Sequence, residues 1–298
     1  MHYLLKSSIY SSIVLLLVVS CKENNELLPT TPAPKKESSL NYDMPENALS
    51  DAGWKREFAD EFSNNDFSQW DIWKGGAYND EYQYYSNNLS NLSITNGNLI
   101  ITAKKEFING LVTPYTTAKK DFQFTSARIE SKKYYTPNAN AKKVRISARI
   151  KLPAGFGMWP AFWLYGNNWP TNGEIDILEA KGQDTSKFAT NIFYGTKIGI
   201  DEVNGREAKE INTGKNLQLY WHVYEVIWEN NKLTFLFDGQ IIDVKDRSII
   251  SALNGKLQKI TLNVAVGGNY FGPTPLQISS INTGSMYVDW VRVHSSNN

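Results

Sequence analysis

Cysteine and histidine are scarce in this sequence of 298 residues, which contains one Cys and three His. With Cys21 as the only cysteine, no disulfide can form within the chain, and a Cys/His zinc site cannot be assembled. With three His residues and one Cys, the chain also offers almost no candidates for a Ser–His or Cys–His nucleophile pair. His222 lies in a strand-like stretch, YWHVYEVIW, and is interpreted as a strand residue. Carboxylates must therefore carry any chemistry that the chain performs.

An excess of charge of one sign is also missing, since 31 Lys and Arg stand against 30 Asp and Glu, scattered along the chain. Proteins that bind nucleic acid or strongly acidic partners concentrate basic residues in a patch. The sequence therefore predicts no nucleic-acid partner and favours a substrate that needs no charge steering. Hydrophobic residues make up 41% of the chain and aromatic residues 13%, which is enough for a sizeable core.

The N-terminus lacks a hydrophobic run long enough to span a membrane, because the uncharged stretch covers only residues 7–20. That length is typical of the apolar region of a signal peptide. The residues Val18, Val19, Ser20 and Cys21 resemble a bacterial lipobox, which predicts cleavage before Cys21 and acylation of its sulfur. An ordinary secretory signal is the alternative, but the position of the sole Cys favours a lipoprotein.

Residues 1–20 are thus predicted to be a lipoprotein signal peptide, whose removal leaves a neutral protein because Lys6 is its only Lys, Arg, Asp or Glu. The mature protein is expected in the bacterial cell envelope, attached by lipid to the outer membrane. The CKENNE segment that begins at Cys21 is similar to the surface-export signals of some Gram-negative lipoproteins, although the membrane face stays open.

Residues 21–50 are polar and rich in proline, which predicts a flexible linker after the acylated Cys. Residues 51–298 show no second linker and are predicted to form a single domain. This region is rich in strand patterns such as VRISARIKL at 144–152, where apolar and polar residues alternate, and in turns such as the DG pair at 238–239. Many short strands with few helical stretches predict an all-β sandwich or jelly roll of two antiparallel sheets.

The stretch NGEIDILEA contains three carboxylates, Glu174, Asp176 and Glu179, among residues typical of a buried strand. In a regular strand Glu179 would point to the opposite face from the other two and enter the core without a partner, at high cost. A β-bulge around Ile177 and Leu178 would return it to their face. Two acids held about 5 Å apart suit a retaining glycosidase; the alternatives are chance acids on a surface strand or a metal-binding strand.

The preceding segment, MWPAFWLYGNNWP, is predicted to place Trp159 and Trp163 on one face of a strand. Two indoles on one face can form a platform for sugar rings. The alternative is that these Trp residues belong to the core.

These segments resemble glycoside hydrolase family 16, in which GEIDILE is similar to the bulged form of the active-site strand. Further similar segments are NDEYQYYSNN (79–88), NGNLIITAKKE (96–106), ARIKLPAGFGMWPAFWL (148–164), LNVAVGGNYFGP (262–273) and YVDWVRV (287–293). The resemblance covers nearly the whole domain and is nearest to laminarinase-like endo-1,3-β-glucanases. It implies a jelly roll with a substrate cleft on the concave face, acting as a monomer without a cofactor for catalysis.

The resemblance also implies roles for individual residues. Glu174 would be the nucleophile, Glu179 the acid and base, and Asp176 would tune both. The residues implied to contact the sugar are Trp159, Trp163, Trp169, Asn79 and Arg128, although Arg128 could equally be a solvated strand residue. One structural calcium ion is implied for many members, with ligands matching Glu61, the Gly97 carbonyl and Asp289.

Phe193 is a departure, because laminarinases usually have His at the matching position in NIFYG. This leaves fine specificity open between β-1,3-glucan and galactans, the substrates of the agarase- and porphyranase-like members. A sulfated galactan would favour a basic cluster near the acids, which the sequence lacks, so β-1,3-glucan is preferred. A surface lipoprotein that binds glycan without cutting it is the third alternative, but such a protein has no need for three mutually repelling acids.

Overall fold

The structure is a computed structural model that describes residues 44–246 and 248–298. The predicted signal peptide, Cys21 and most of the predicted linker lie outside the described residues. Within them are two α-helices, α1 (Glu46–Asp51) and α2 (Ser248–Ser251), two 3-10 helices (Asn269–Phe271 and Ile278–Ser280) and seventeen strands. The strands are β1 (Lys55–Asp60), β2 (Trp70–Ile72), β3 (Gln83–Tyr85), β4 (Leu92–Thr95), β5 (Asn98–Leu111), β6 (Lys119–Ser126), β7 (Arg128–Tyr135), β8 (Lys143–Lys151), β9 (Met158–Tyr165), β10 (Glu174–Glu179), β11 (Lys187–Phe193), β12 (Lys209–Asn212), β13 (His222–Glu229), β14 (Lys232–Phe237), β15 (Gln240–Lys245), β16 (Gln258–Val266) and β17 (Gly284–Ser296).

The strands form two sheets that pack face to face. The larger sheet has ten strands in the order β15-β14-β13-β8-β17-β5-β6-β3, with β1 beside β17 and β4 beside β5. The smaller sheet has seven strands in the order β12-β11-β10-β9-β16-β7-β2. Neighbours in both sheets are antiparallel, apart from the parallel pair β3 and β6. The predicted all-β jelly roll of two antiparallel sheets is confirmed.

Alternation along the strands explains why they pack in this way. In β8, Ile146 and Ile150 are fully buried in the core between the sheets. Arg145 and Arg149 point to the other face, where they are paired with Glu225 and Asp289. The period of two predicted from VRISARIKL is therefore the period that the structure shows.

The folded part begins before the predicted boundary at residue 51. Helix α1 occupies Glu46–Asp51, and its Leu49 is buried. Residues 46–50, placed in the linker by their polar composition, therefore contribute to the packed structure. Among the described residues, no helix has the length and apolar character needed to cross a membrane.

Candidate active site

Strand β10 contains the bulge that the three carboxylates predicted. Against β9, Ile177 is one residue too many between the paired positions Asp176 and Leu178, and the register against β11 shifts at the same place. Ile177 and Leu178 are both buried in the core between the sheets. The side chain of Glu179 consequently returns to the face that carries Glu174 and Asp176.

The residue before this strand must be glycine. Gly173 has φ +78°, a backbone conformation that favours glycine. A Cβ at this position would lie 2.4 Å from Leu253 Cδ2 and 2.7 Å from Gln258 Nε2. The absence of a side chain lets the chain turn into β10 so that Glu174 is its first residue.

A cleft of about 870 Å³ lies over the face of the smaller sheet that points away from the core. Its lining includes all eight residues that were predicted to be catalytic or to contact a sugar: Asn79, Arg128, Trp159, Trp163, Trp169, Glu174, Asp176 and Glu179. The structure therefore brings together residues from three strands and two loops. The two Trp residues of β9 border this cleft, so the alternative that placed them in the core between the sheets is wrong.

Each of the two glutamates is held by an indole. Trp169 Nε1 donates to Glu174 Oε2 at 2.8 Å, and Trp159 Nε1 donates to Glu179 Oε1 at 2.9 Å. One face of Trp159 is covered by Tyr270, whose ring is nearly parallel at 4.6 Å between centroids. These contacts fix the two carboxyl groups at the cleft surface before any ligand enters.

The environment of the three acids raises the pKa of each above its ordinary value. Burial, followed by the charge of ionised Glu179, raises the pKa of Glu174. Burial raises the pKa of Glu179 to about 7, against the hydrogen bond from Trp159. Burial, followed by the charges of both glutamates, raises the pKa of Asp176 well above its usual value. Because the charge of Glu179 contributes to the raised pKa of Glu174, a proton on Glu179 favours ionised Glu174.

Arg128 is buried at the cleft floor, so the alternative of a solvated strand residue is wrong. Its Nη2 lies 2.7 Å from Glu130 Oε1, and its guanidinium lies over the ring of Trp73 at 4.1 Å. Glu130 also accepts from Tyr165 OH at 2.7 Å and is paired with Lys259. The cation in the cleft is therefore already balanced by a carboxylate.

Several residues of the cleft were not predicted. These are Trp73, Glu81, Tyr85, Tyr115 and Asn263, together with Tyr270, which backs Trp159, and Glu130, which holds Arg128. Glu130 had a signal in strand periodicity, because a carboxylate two residues after an arginine in a strand shares its face. Glu81, Tyr85, Asn263 and Tyr270 lie in segments that resemble the family, but the resemblance was not carried to these residues. The others come from loops whose positions depend on the complete fold.

Phe193 lines the cleft at the strand position directly opposite Glu174. Its ring centroid is 6.0 Å from that of Trp169, the residue that donates to Glu174. The side of the cleft next to Glu174 is thus apolar where a His was expected from the resemblance.

The residues implied for calcium do not fit a calcium site as they are arranged. Both carboxylate oxygens of Glu61 are bound by Arg292, at 2.8 and 3.0 Å, and Asp289 lies 2.9 Å from Arg149. Gly97 occupies the tight turn between β4 and β5. Among residues 44–246 and 248–298, no group of three or more His, Cys, Asp or Glu could hold a metal. Guanidinium groups already balance the two carboxylates that the cation would need.

Comparison with known proteins agrees with this geometry. The profile of the family described as Glycosyl hydrolases family 16 matches residues 79–292. The clotting factor G alpha subunit of Tachypleus tridentatus is 30% identical over 253 residues, which are 81% of this chain and 34% of that protein. Glucan endo-1,3-beta-glucosidase A1 of Niallia circulans is 29% identical over 248 residues, 78% of this chain and 34% of that protein. The chain thus spans about a third of the length of these two relatives.

A solved structure resembles the whole jelly roll. The endo-beta-1,3-glucanase from Pyrococcus furiosus has a TM-score of 0.67 and 29% identity, covering 82% of this chain and 95% of that one. The family profile covers well over half of the sequence and includes the bulged strand with its three acids. The chain therefore belongs to glycosyl hydrolase family 16.

Proposed function

We propose that this protein is an endo-acting, retaining glycoside hydrolase that cleaves β-1,3-glucan of the laminarin type. The observation that carries the proposal is the bulge in β10, which puts Glu174, Asp176 and Glu179 on one wall of the cleft. Two acids on one wall, one neutral and one ionised, are what double displacement at an anomeric carbon requires. The names of the Niallia circulans relative and the Pyrococcus furiosus structure support β-1,3-glucan as the substrate.

In the first step Glu179 gives its proton to the glycosidic oxygen as the bond to the anomeric carbon breaks. The Glu174 carboxylate attacks that carbon from the opposite side and forms a covalent glycosyl-enzyme, while the sugar on the leaving side departs with the proton. The raised pKa of Glu179 keeps the acid protonated near neutral pH. The indole of Trp169 holds Glu174 in place for the attack.

In the second step the Glu179 carboxylate takes a proton from water, and the resulting nucleophile attacks the anomeric carbon. The bond to Glu174 breaks, the carboxylate is restored, and two inversions give a product of retained β configuration. Asp176 is hydrogen-bonded to Glu174 and lowers the pKa of that nucleophile. Glu174 and Glu179 therefore end the cycle in the protonation states in which they began it.

A panel of polysaccharides tests the substrate. The reducing-sugar assay of the soluble domain on laminarin, lichenan, agarose, porphyran and carrageenan should show laminarin cleaved fastest. Among the described residues that line the cleft, Arg128 is the only cation, and Glu130 balances it, which disfavours sulfated galactans. Fastest cleavage of agarose or porphyran would assign the protein to galactans instead. Binding of laminarin without cleavage of any polysaccharide would support the non-catalytic alternative.

The two indoles should control opposite limbs of the pH profile. Trp159→Phe removes a hydrogen bond that lowers the pKa of Glu179, so its proton is held to higher pH. Activity is lost as pH rises through the pKa of this acid, and the alkaline limb of kcat/KM should therefore move upward by up to about one unit.

The matched variant is Trp169→Phe, which removes the corresponding hydrogen bond from Glu174 and raises its pKa. Since the nucleophile must be ionised, activity is lost as pH falls through this pKa, and the acid limb should move upward instead. The measurement is kcat/KM against pH for both variants and the wild type. The same limb moving in both variants would contradict the assignment of an acid and a nucleophile.

We also propose that acylated Cys21 anchors the mature protein to the outer membrane. The support comes from the lipobox-like sequence and from the position of the only Cys, which lies outside the described residues. Cys21→Ala should move the protein from the membrane fraction to the soluble fraction, because alanine has no sulfur to which the lipid anchor could be attached. The measurement is fractionation of cells that express either form. Undiminished recovery of the variant in the membrane fraction would rule out the anchor.

A further inference from the structure

Asn191 is the cross-strand neighbour of Asp176. The two residues are directly paired in the antiparallel ladder between β10 and β11, immediately before the bulge. Directly paired residues project their side chains from the same face of a sheet, within reach of each other. Asn191 is 7% exposed and Asp176 is 1% exposed. The amide and the carboxyl group therefore lie side by side in a water-poor part of the site.

Both side chains carry a buried oxygen that receives no hydrogen bond from any described residue. These atoms are Asn191 Oδ1 and Asp176 Oδ2. Leaving such an atom without a donor is costly, and a hydrogen bond between the two paired side chains would satisfy the Asp176 oxygen. A half-turn of the Asn191 amide exchanges Oδ1 and Nδ2, and the N–H then replaces an oxygen beside the carboxyl group.

We propose that the Asn191 amide donates a hydrogen bond to the Asp176 carboxyl group and holds it in position against Glu174. Asn191 is thus a positioning residue, which acts on the nucleophile through Asp176 and touches no reacting atom. The inference rests on the proposed function for the role of Glu174. It assigns to β11 a part in the chemistry that neither the sequence pattern nor the cleft lining indicates.

Other charged groups also act on this pair and must stay unchanged in the test. Glu179 lies on the same strand, Lys245 from β15 acts on Asp176, and Arg128 from β7 acts on Glu174. None of them is altered by a substitution at Asn191. A change in the titration of the pair can therefore be assigned to the loss of the amide.

The test compares three variants of two neighbouring residues. Asn191→Leu removes the donor with little change in size, Asn191→Thr offers a hydroxyl donor instead, and Thr190→Val is the structural control. Thr190 points to the opposite face of β11 and bonds to Asp243 Oδ2 at 2.8 Å. Thr190→Val removes this bond but leaves the Asp243–Lys245 ion pair in place, so it should lower stability without changing the charges around Asp176. Thermal melting first establishes which variants fold.

Asn191→Leu should lower kcat on laminarin roughly tenfold to a hundredfold with KM nearly unchanged. Because Asp176 then no longer bonds firmly to Glu174, the pKa of Glu174 rises and the acid limb of the pH profile moves to higher pH. Asn191→Thr should restore part of kcat, and Thr190→Val should change neither kcat nor the limb. An Asn191→Leu variant with wild-type kcat and pH profile would overturn the proposal.

A measurement on the free enzyme separates this proposal from the proposed function. Infrared difference spectra during a pH titration report the protonation of buried carboxyl groups without any substrate. In Asn191→Leu the titration of the cluster should shift to higher pH than in the wild type and in Thr190→Val. An unshifted titration overturns the role of Asn191 even if the protein cleaves laminarin, whereas a shift upholds it even if laminarin is not the substrate.

Discussion

Glu174→Ala should lower the rate of laminarin cleavage by several orders of magnitude, because no glycosyl-enzyme can form without the attacking carboxylate. Truncation also leaves a space at the anomeric carbon that a small anion can enter. Azide should then attack an activated aryl β-glucoside directly and displace the aryl group in a single inversion. The product is the α-glycosyl azide, and its anomeric proton identifies it by NMR.

Asp121→Ala is a suitable control for this variant. Asp121 is an exposed carboxylate in β6 of the other sheet, where it accepts from Asn109 Nδ2. Its removal should leave both the rate and the response to azide unchanged. A Glu174→Ala protein that retains a rate within tenfold of the wild type would show that another group attacks the sugar.

Glu179→Ala should be almost inactive on laminarin but active in forming the glycosyl-enzyme from an aryl glycoside. The glucan needs a proton on its leaving oxygen, whereas an activated phenolate leaves without one. The glycosyl-enzyme then accumulates because no base activates water, and azide should release it. Two inversions give the β-glycosyl azide, again identified by NMR.

The two variants together assign the roles. If Glu174→Ala yields the β-azide and Glu179→Ala the α-azide, the nucleophile and the acid are exchanged. The pH profile provides a second criterion, because Glu179→Ala acting on the aryl glycoside should lose the alkaline limb that the wild type shows. An alkaline limb that persists unchanged would mean that Glu179 is not the titrating acid.

The face of each carboxylate could be predicted because a strand has only two faces. Glu174 and Asp176 are two residues apart and share one face, while Glu179 does not unless a residue is added between them. The apolar pair Ile177 and Leu178 marked where the extra residue would be tolerated, since both can face the core. The local sequence was therefore sufficient to predict the bulge, and the structure has it at Ile177, between Asp176 and Leu178.

The partners of the site residues could not be predicted in the same way. Trp159 was expected to offer its ring to a sugar, but one ring face lies against Tyr270 and its N–H is bound to Glu179. Tyr270 is distant in the sequence and reaches this position through the connection after β16. Contacts of this kind depend on the packing of complete strands and loops, and no local pattern encodes them.

The same reason explains the outcome for the implied calcium ligands. Glu61 and Asp289 were assigned from the resemblance alone, without the residues around them. The structure puts Arg292 beside Glu61 and Arg149 beside Asp289, both from strands of the larger sheet. Carboxylates that match calcium ligands by sequence position can thus be neutralised by arginines that the sequence comparison does not reveal.

The central claim is that the two glutamates act by double displacement from one wall of the cleft. Its most direct test is the anomeric configuration of the first products of laminarin cleavage by the wild type, followed by ¹H NMR from the moment of mixing. New reducing ends should appear as the β anomer, with the α anomer growing later by mutarotation alone. Reducing ends that appear first as the α anomer would contradict the account.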